Sequence, residues 1–136
     1  PDAAAALDYR ERIGAGSIRL FFNIEPEFGR PVSPRPIGAL AKSVVTSSLA
    51  DVLLISGPMA GAEADLGHIQ DAKAAVPNTP VLANTGCRIE TIAQTLAVAD
   101  GVIVGSGLKH DGYTWNPVDP DRVKRFMANA REARGD

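Results

Sequence analysis

Short apolar runs, separated by polar, glycine-rich and proline-rich segments, divide the chain into a regular series of strands and helices. The runs are rich in branched and aromatic residues, and they are apolar almost throughout rather than alternating with polar residues. Near-continuous apolarity is typical of strands that are buried on both faces, as in a parallel sheet. The sequence therefore predicts strands over residues 18–24, 51–56, 80–83 and 101–104.

Helical periodicity fills the intervals between these runs, and a further helix is predicted over residues 3–13. Asp65 is expected to cap a helix that stops before Pro77, and Asp119 with Pro120 is expected to begin the last helix. Another helix is predicted around residues 89–96. Three- and four-residue spacing places apolar residues on the inner face of two helices. They are Ile37, Leu40, Ala41, Val44, Val45 and Leu49 in the helix after the first strand, and Val123, Phe126, Met127 and Ala130 in the last helix.

The order of elements is a leading helix followed by four βα units, which is typical of an α/β fold with parallel strands. An open doubly wound sheet and a barrel both fit this order. Four strands are too few to close a barrel, and a complete (β/α)8 barrel needs about 250 residues, whereas the chain has 136. The chain is therefore predicted to be one domain over residues 1–136 that forms half of a (β/α)8 barrel, pairs with a second half-barrel, or forms an open sheet.

A half-barrel by itself would expose sheet edges and apolar surface, which is costly. We therefore expect it to pair with a missing half of the barrel or with a second copy of the chain. The chain begins at Pro1 instead of a methionine and enters an alanine-rich helix at once. This start indicates that the chain is incomplete at its N-terminus.

The composition narrows the classes of partner. The net charge is −2, from 14 Lys and Arg against 16 Asp and Glu, and aromatic residues make up 5%. This balance, without a basic stripe, does not favour a nucleic-acid partner. No apolar run approaches the roughly 18 residues of a membrane span. The single cysteine, Cys87, excludes an intrachain disulfide and favours the reducing cytoplasm.

Loops rich in glycine follow the predicted strands, at the end of βα folds where ligands bind. Small residues expose backbone N–H groups there, and the last two such loops commonly hold a phosphate. A phosphorylated or anionic small molecule is therefore the predicted ligand, although the glycines could serve only to make tight turns. The predicted ligand-binding residues are Asn23, Gly57, Asn84, Thr85, Gly86, Gly105, Ser106 and Gly107.

No cofactor or metal is predicted. The sequence from Gly105 lacks the third glycine of a dinucleotide-binding fingerprint, because His110 stands at that position. Asp65 and His68 are three residues apart, but a helix cap and a surface histidine explain them. Cys87 has no metal-ligand spacing and is interpreted as a buried structural thiol.

The predicted catalytic residues are Glu25, Lys109 and Asp111. Lys109 could pair with the charge of an anion, and His110 beside Asp111 could transfer protons or belong to a solvated loop. Strand alternation places Asn23 and Glu25 on the same side of the first strand. The Glu25 carboxylate is then either a general base or an ion-pair partner of Arg30 or Arg35.

The segment ADGVIVGSGLKHDGYTWNPVDPDRVKRFM (residues 99–127) resembles the BtpA family of barrel proteins, which includes the SgcQ-like proteins. The segments LADVLLISGPMAGAEAD (residues 49–65) and YRERIGAGSIRLF (residues 9–21) are similar to other parts of the family pattern. The resemblance covers nearly the whole chain and implies a (β/α)8 barrel in which these strands are numbers five to eight. The chain is then the C-terminal half of the barrel, and the N-terminal half is missing. The chain differs where the family commonly has a Lys-His pair, here Glu25-Pro26-Glu27, and where it usually has Gly-Ser-Gly, here Asn84-Thr85-Gly86.

The sequence leaves several functions open and does not decide whether the protein is an enzyme. One is an enzyme or binding protein that acts on a phosphorylated metabolite. Another is a non-catalytic assembly or stability factor, because the resemblance includes a family namesake that is an extrinsic membrane factor associated with photosystem I accumulation. A third is a half-barrel that functions as a homodimer.

Overall fold

A computed structural model describes residues 2–29 and 32–135. Strands and helices alternate in the predicted order, and the boundaries follow local chemistry. Asp2, Asp65 and Asp119 each accept hydrogen bonds from the first free backbone N–H groups of a helix. The elements are α1 (Ala3–Arg12), β1 (Phe21–Glu25), α2 (Ile37–Ser48), β2 (Val52–Ile55), α3 (Leu66–Ala75), β3 (Val81–Ala83), α4 (Ile92–Leu96), β4 (Gly101–Val102) and α5 (Pro120–Arg134), with 3₁₀ turns at Ser106–Leu108 and His110–Gly112.

The strands form one parallel sheet in the order β1-β2-β3-β4. Phe22 lies opposite Leu53, and Leu53 lies opposite Val81. Sequential parallel strands with a helix after each one are the arrangement of consecutive βα units in a barrel. The structure thus confirms the predicted part of a barrel. In the alternative, a doubly wound open sheet, the strand order would reverse.

The core lies mainly between the sheet and the helices α2 and α3. Leu53, Ile55 and Val81 of the strands are fully buried in the same cluster as Ala41 of α2 and Ile69 of α3. A second buried cluster consists of Ile92 of α4, Phe126 of α5 and Cys87. The predicted inner face of α2 is confirmed at Ile37, Leu40, Ala41, Val44 and Val45, which are buried in the first cluster or packed against it.

Two aspartates secure the N-terminal ends of the strands. The Asp51 carboxylate accepts from the Leu20 N–H at 2.8 Å and from Arg19 at 3.0 Å, and these bonds hold its pKa below the ordinary value. Burial raises the pKa of Asp100, but hydrogen bonds from Lys73 and the Val81 N–H outweigh that effect and lower it. This end of a barrel serves stability, whereas the opposite end binds ligands.

Several predicted boundaries and orientations were wrong. The first strand begins at Phe21 rather than at residue 18, because pairing with β2 starts opposite Val52. The last strand stops at Val102, since β4 pairs on one side only and the chain then turns at Gly105. Leu49 is exposed because it ends α2 in a left-handed conformation. Met127 is 42% exposed beside the buried Phe126.

Candidate functional site

A cleft of about 520 Å³ opens at the C-terminal ends of β3 and β4. Its volume lies within the range of small-molecule sites, roughly 300–1,000 Å³. The loops that follow the two strands form its walls, and the β1–α2 and β2–α3 loops reach its rim through Glu27 and Gly61. The structure brings together most of the predicted site residues here: Asn84, Thr85, Gly86, Gly105, Ser106, Gly107 and Asp111.

Unused hydrogen-bond donors line this cleft. Within the described chain, the backbone N–H groups of Gly86, Gly105 and Ser106 donate to no protein acceptor. The Thr85 hydroxyl oxygen accepts from the Gly57 N–H at 2.6 Å, so the hydroxyl hydrogen is free to donate elsewhere. Backbone N–H and side-chain O–H groups without protein acceptors are available to bind an oxyanion.

Two arginines that sequence reasoning missed also line the cleft. The Arg122 Nε donates to the Gly107 carbonyl at 3.0 Å, and the Arg88 guanidinium lies 3.5 Å from the Gly61 carbonyl. Among the described residues, neither guanidinium forms an ion pair with a carboxylate. Arg122 lies one turn into α5, and only the path of the preceding loop brings it to Gly107, so the sequence carried no signal for it.

The loop after β4 separates three neighbouring residues that the sequence grouped together. Asp111 lines the cleft and has a left-handed backbone with a φ of 56°. The Lys109 ammonium instead donates to the carbonyl of Thr114 within the loop, and Lys109 is not among the lining residues. His110 points toward Asp119, at 3.5 Å. Of the predicted catalytic residues, Asp111 is therefore the one at this cleft.

A polar network centred on a buried hydroxyl group adjoins the cleft. The side-chain amides of Asn23 and Asn84 both donate to the Ser56 hydroxyl, at 2.7 and 2.9 Å. Ser56 is 3% exposed, so its hydroxyl is shielded from water, whereas the two asparagines are half-buried. Asn23 thus lies in a supporting position, and Asn84 connects the network to the cleft. Sequence reasoning missed Ser56 because its role depends on neighbours from two other strands.

Glu25 does not share the surroundings of Asn23. The register between β1 and β2 shifts between these residues, which interrupts the alternation expected of a regular strand. The Glu25 carboxylate instead lies 2.9 Å from the Nδ1 of His68 on α3, and both residues line a second open cleft together with Gly57. Arg30, one of the two ion-pair partners considered for Glu25, lies outside the described residues.

The hydrogen bond to Glu25 raises the pKa of His68, an effect that burial partly opposes. A raised folded-state pKa means that the pair stabilises the fold fully below the unfolded pKa of histidine. This stabilisation is lost as the pH rises through the folded-state pKa.

Glu25→Gln is expected to lower the pKa of His68 toward that of a free histidine, because the partner's negative charge is removed. An NMR pH titration can follow the imidazoles directly, since the chain has only two histidines. His110, which does not line the cleft of Glu25 and His68, serves as the internal control. An unchanged His68 titration in the variant would contradict the pairing.

Gly57 and Gly86 have a packing role. A Cβ atom at either position would lie within 2.5 Å of the Ala62–Glu63 backbone. The glycines therefore allow the loops after β2 and β3 to meet. A Cβ at Gly105 would meet nothing within 4 Å, so that glycine opens onto free space.

Cys87 is buried, as predicted, and burial raises the pKa of its thiol. A buried protonated thiol is a poor nucleophile. Within residues 2–29 and 32–135, no group of three or more His, Cys, Asp and Glu side chains is arranged to hold a metal ion. No helix in the same described residues is long and apolar enough to cross a membrane.

The architecture and the position of the cleft define a βα-barrel protein, and solved structures agree. The N-(5'-phosphoribosyl)anthranilate isomerase of Pyrococcus furiosus superposes with a TM-score of 0.58 at 18% identity, over 92% of this chain and 56% of that one. The phosphoribosyl anthranilate isomerase of Thermococcus kodakaraensis gives 0.59 at 17% identity, over 95% and 58%. At these identities the likeness shows the fold alone.

The chain belongs to the BtpA family, whose sequence profile matches residues 1–132. It is 39% identical over 128 residues to the sgc region protein SgcQ of Escherichia coli (strain K12), covering 94% of this chain and 48% of that protein. It is 28% identical over 126 residues to the photosystem I biogenesis protein BtpA of Synechocystis sp., covering 93% and 44%. The chain thus spans about half the length of these relatives.

Proposed function

We propose that this BtpA-family protein binds a phosphorylated or otherwise anionic small molecule in the cleft at the ends of β3 and β4. One observation carries the proposal: Arg88 and Arg122 line the cleft without carboxylate partners in the described chain. Arginine is well suited to phosphate because its planar guanidinium donates several hydrogen bonds and stays charged. The free N–H groups of Gly86, Gly105 and Ser106 would complete the anion's coordination.

The roles within the site follow from these positions. The two arginines and the loop N–H groups would hold the anion, and Asp111 would be the group in the cleft able to transfer a proton or accept a hydrogen bond. Lys109 would stabilise the loop through Thr114, while Glu25 would act beside His68 in the neighbouring cleft.

Arg122→Gln is expected to weaken binding of phosphorylated compounds by about tenfold to a hundredfold, because one charge-assisted contact is lost. Isothermal titration calorimetry with inorganic phosphate and a panel of phosphate monoesters would measure the change. In thermal melting, a ligand at 100 times its Kd should stabilise the protein by about 2.7 kcal/mol.

Arg125→Gln is the matched control, since Arg125 is exposed on the same helix and does not line the cleft. It should leave the affinity unchanged. If no phosphate monoester binds the folded protein, or if both arginine variants bind equally, the proposed anion site is wrong.

A non-catalytic assembly or stability factor is a second candidate function. Large apolar side chains are exposed in the loops after the strands, including Phe28 at 90% and Trp115 at 83%. Exposed apolar surface is typical of protein contacts. If the folded protein binds none of the phosphate compounds, that result would favour this function.

We also propose that the sheet pairs with further strands. Phe21 of β1 is 48% exposed, and Ile103 just after β4 is 40% exposed, at the two edges of the sheet. The partner is either the rest of a barrel or a second copy of this chain, and the native mass of the full chain distinguishes them. A cytoplasmic location stays a prediction from the single, free cysteine.

A further inference from the structure

We propose that the ligand of the cleft is the phosphate ester of a polyhydroxylated body, that is, a sugar phosphate or polyol phosphate. This inference rests on the anion site proposed above and concerns the part of the ligand beyond the phosphate. It follows from the hydrogen-bond acceptors in the cleft and from the charges that surround them. It also follows from the lack of aromatic side chains among the described residues that line the cleft.

The cleft combines two complementary sets of hydrogen-bonding groups. Its donors are the arginines and free N–H groups described above. Its acceptors are the carboxylates of Glu27 and Asp111 and the side-chain oxygen of Asn84, and within the described chain none of these accepts a hydrogen bond from another side chain or is ion-paired. A ligand that satisfies both sets must carry hydrogen-bond donors as well as acceptors.

The charges in the cleft restrict the chemical nature of the ligand's hydrogen-bond donors. A second anionic group would be repelled by the carboxylates of Glu27 and Asp111. An ammonium group would suit those carboxylates only at a position remote from Arg88 and Arg122, which line the same cleft. Hydroxyl groups donate to carboxylates without carrying charge, so they fit both conditions.

The shape of the cleft supports a polar body. At about 520 Å³ it is much larger than a phosphate ion requires. No aromatic side chain is among its lining residues in the described chain, and Tyr113 and Trp115 are exposed elsewhere on the loop. A nucleobase would therefore lack the stacking surface that such rings commonly provide.

The backbone of Asp111 points to the same function. A φ of 56° is uncommon for a residue with a side chain, and outliers of this kind cluster at ligand sites. Glycine would adopt this conformation more easily. The position therefore keeps a carboxylate at the cleft at some cost to the backbone.

The test is calorimetric titration of the full chain with four probes: ribose 5-phosphate, glucose 6-phosphate, butyl phosphate and phosphoethanolamine. At least one sugar phosphate is expected to bind at least about tenfold more tightly than the other two classes, since hydrogen bonds to charged acceptors are lost without hydroxyls. Asp111→Gly should remove most of this preference without weakening the binding of butyl phosphate, since it removes a negative charge and no hydrogen-bond donor. Asp111→Asn keeps one acceptor oxygen and should restore part of it.

Both Asp111 variants accept a left-handed backbone, so their urea midpoints should not fall below that of the unsubstituted protein. Equal binding of butyl phosphate or phosphoethanolamine and the sugar phosphates would overturn the inference while leaving the anion site intact. A preference that survives Asp111→Gly would do the same. If none of the four probes binds, or Arg122→Gln has no effect on any of them, the anion site itself fails and the inference with it.

Discussion

Gly86→Ala is expected to lower the free energy of unfolding by more than about 4 kcal/mol, a large fraction of the stability of a typical domain. The new Cβ would lie 2.3 Å from the carbonyl carbon of Ala62 and 2.4 Å from the backbone nitrogen of Glu63. Neither atom can rotate away as a flexible side chain would. The loops after β2 and β3 would have to separate, and the wall of the cleft would separate with them. Urea unfolding followed by circular dichroism measures the loss.

Gly14→Ala is the matched control for this prediction. Gly14 has a φ of 68°, close to the 71° of Gly86, but a Cβ there would meet nothing within 4 Å. Its cost should be only the strain of a left-handed alanine, about 1–2 kcal/mol. Similar losses for the two variants would mean that backbone conformation, rather than loop contact, accounts for Gly86.

Ile55→Ala is expected to lower the free energy of unfolding by about 2–5 kcal/mol. Ile55 is fully buried at the end of β2, where it lies in the main core cluster and directly precedes Ser56 of the polar network. The substitution removes apolar contacts and leaves a cavity that the close-packed strands cannot fill. The midpoint of urea unfolding should fall accordingly, with little change in its slope.

Ile18→Ala removes the same atoms from a residue that is 55% exposed and should cost much less. If Ile55→Ala and Ile18→Ala lower the free energy of unfolding equally, burial between the sheet and the helices does not explain the effect at Ile55.

Local signals were sufficient for most of the fold. The apolar runs predicted parallel strands, because strands covered on both faces lack polar positions. Asp65 and Asp119 predicted their helix starts, since side-chain capping acts over two or three residues. Where prediction failed, as at Leu49 and Met127, the exposed side chain satisfied the helical spacing but lay where no neighbouring element covered it.

The candidate site was predictable only in outline. The glycine-rich loops after β3 and β4 were predicted from their position, because the ends of parallel strands meet at one edge of the sheet. Arg88, Arg122 and Ser56 escaped notice, since each depends on contacts with residues distant in the chain. Alternation along β1 predicted that Glu25 would lie on the same side as Asn23. The strand register shifts between these two residues, and Glu25 lies beside His68 instead.

The sequence by itself determined the series of βα units, the caps of the long helices and the end of the sheet at which a ligand would bind. Each of these follows from interactions between residues near one another in the chain or from the general geometry of parallel sheets. Only the tertiary structure decided that Lys109 bonds to its own loop while Arg122 reaches the cleft. The physical reason is that hydrogen bonds and charges act over a few ångströms, so their partners are chosen by the packing of loops and helices rather than by position in the sequence.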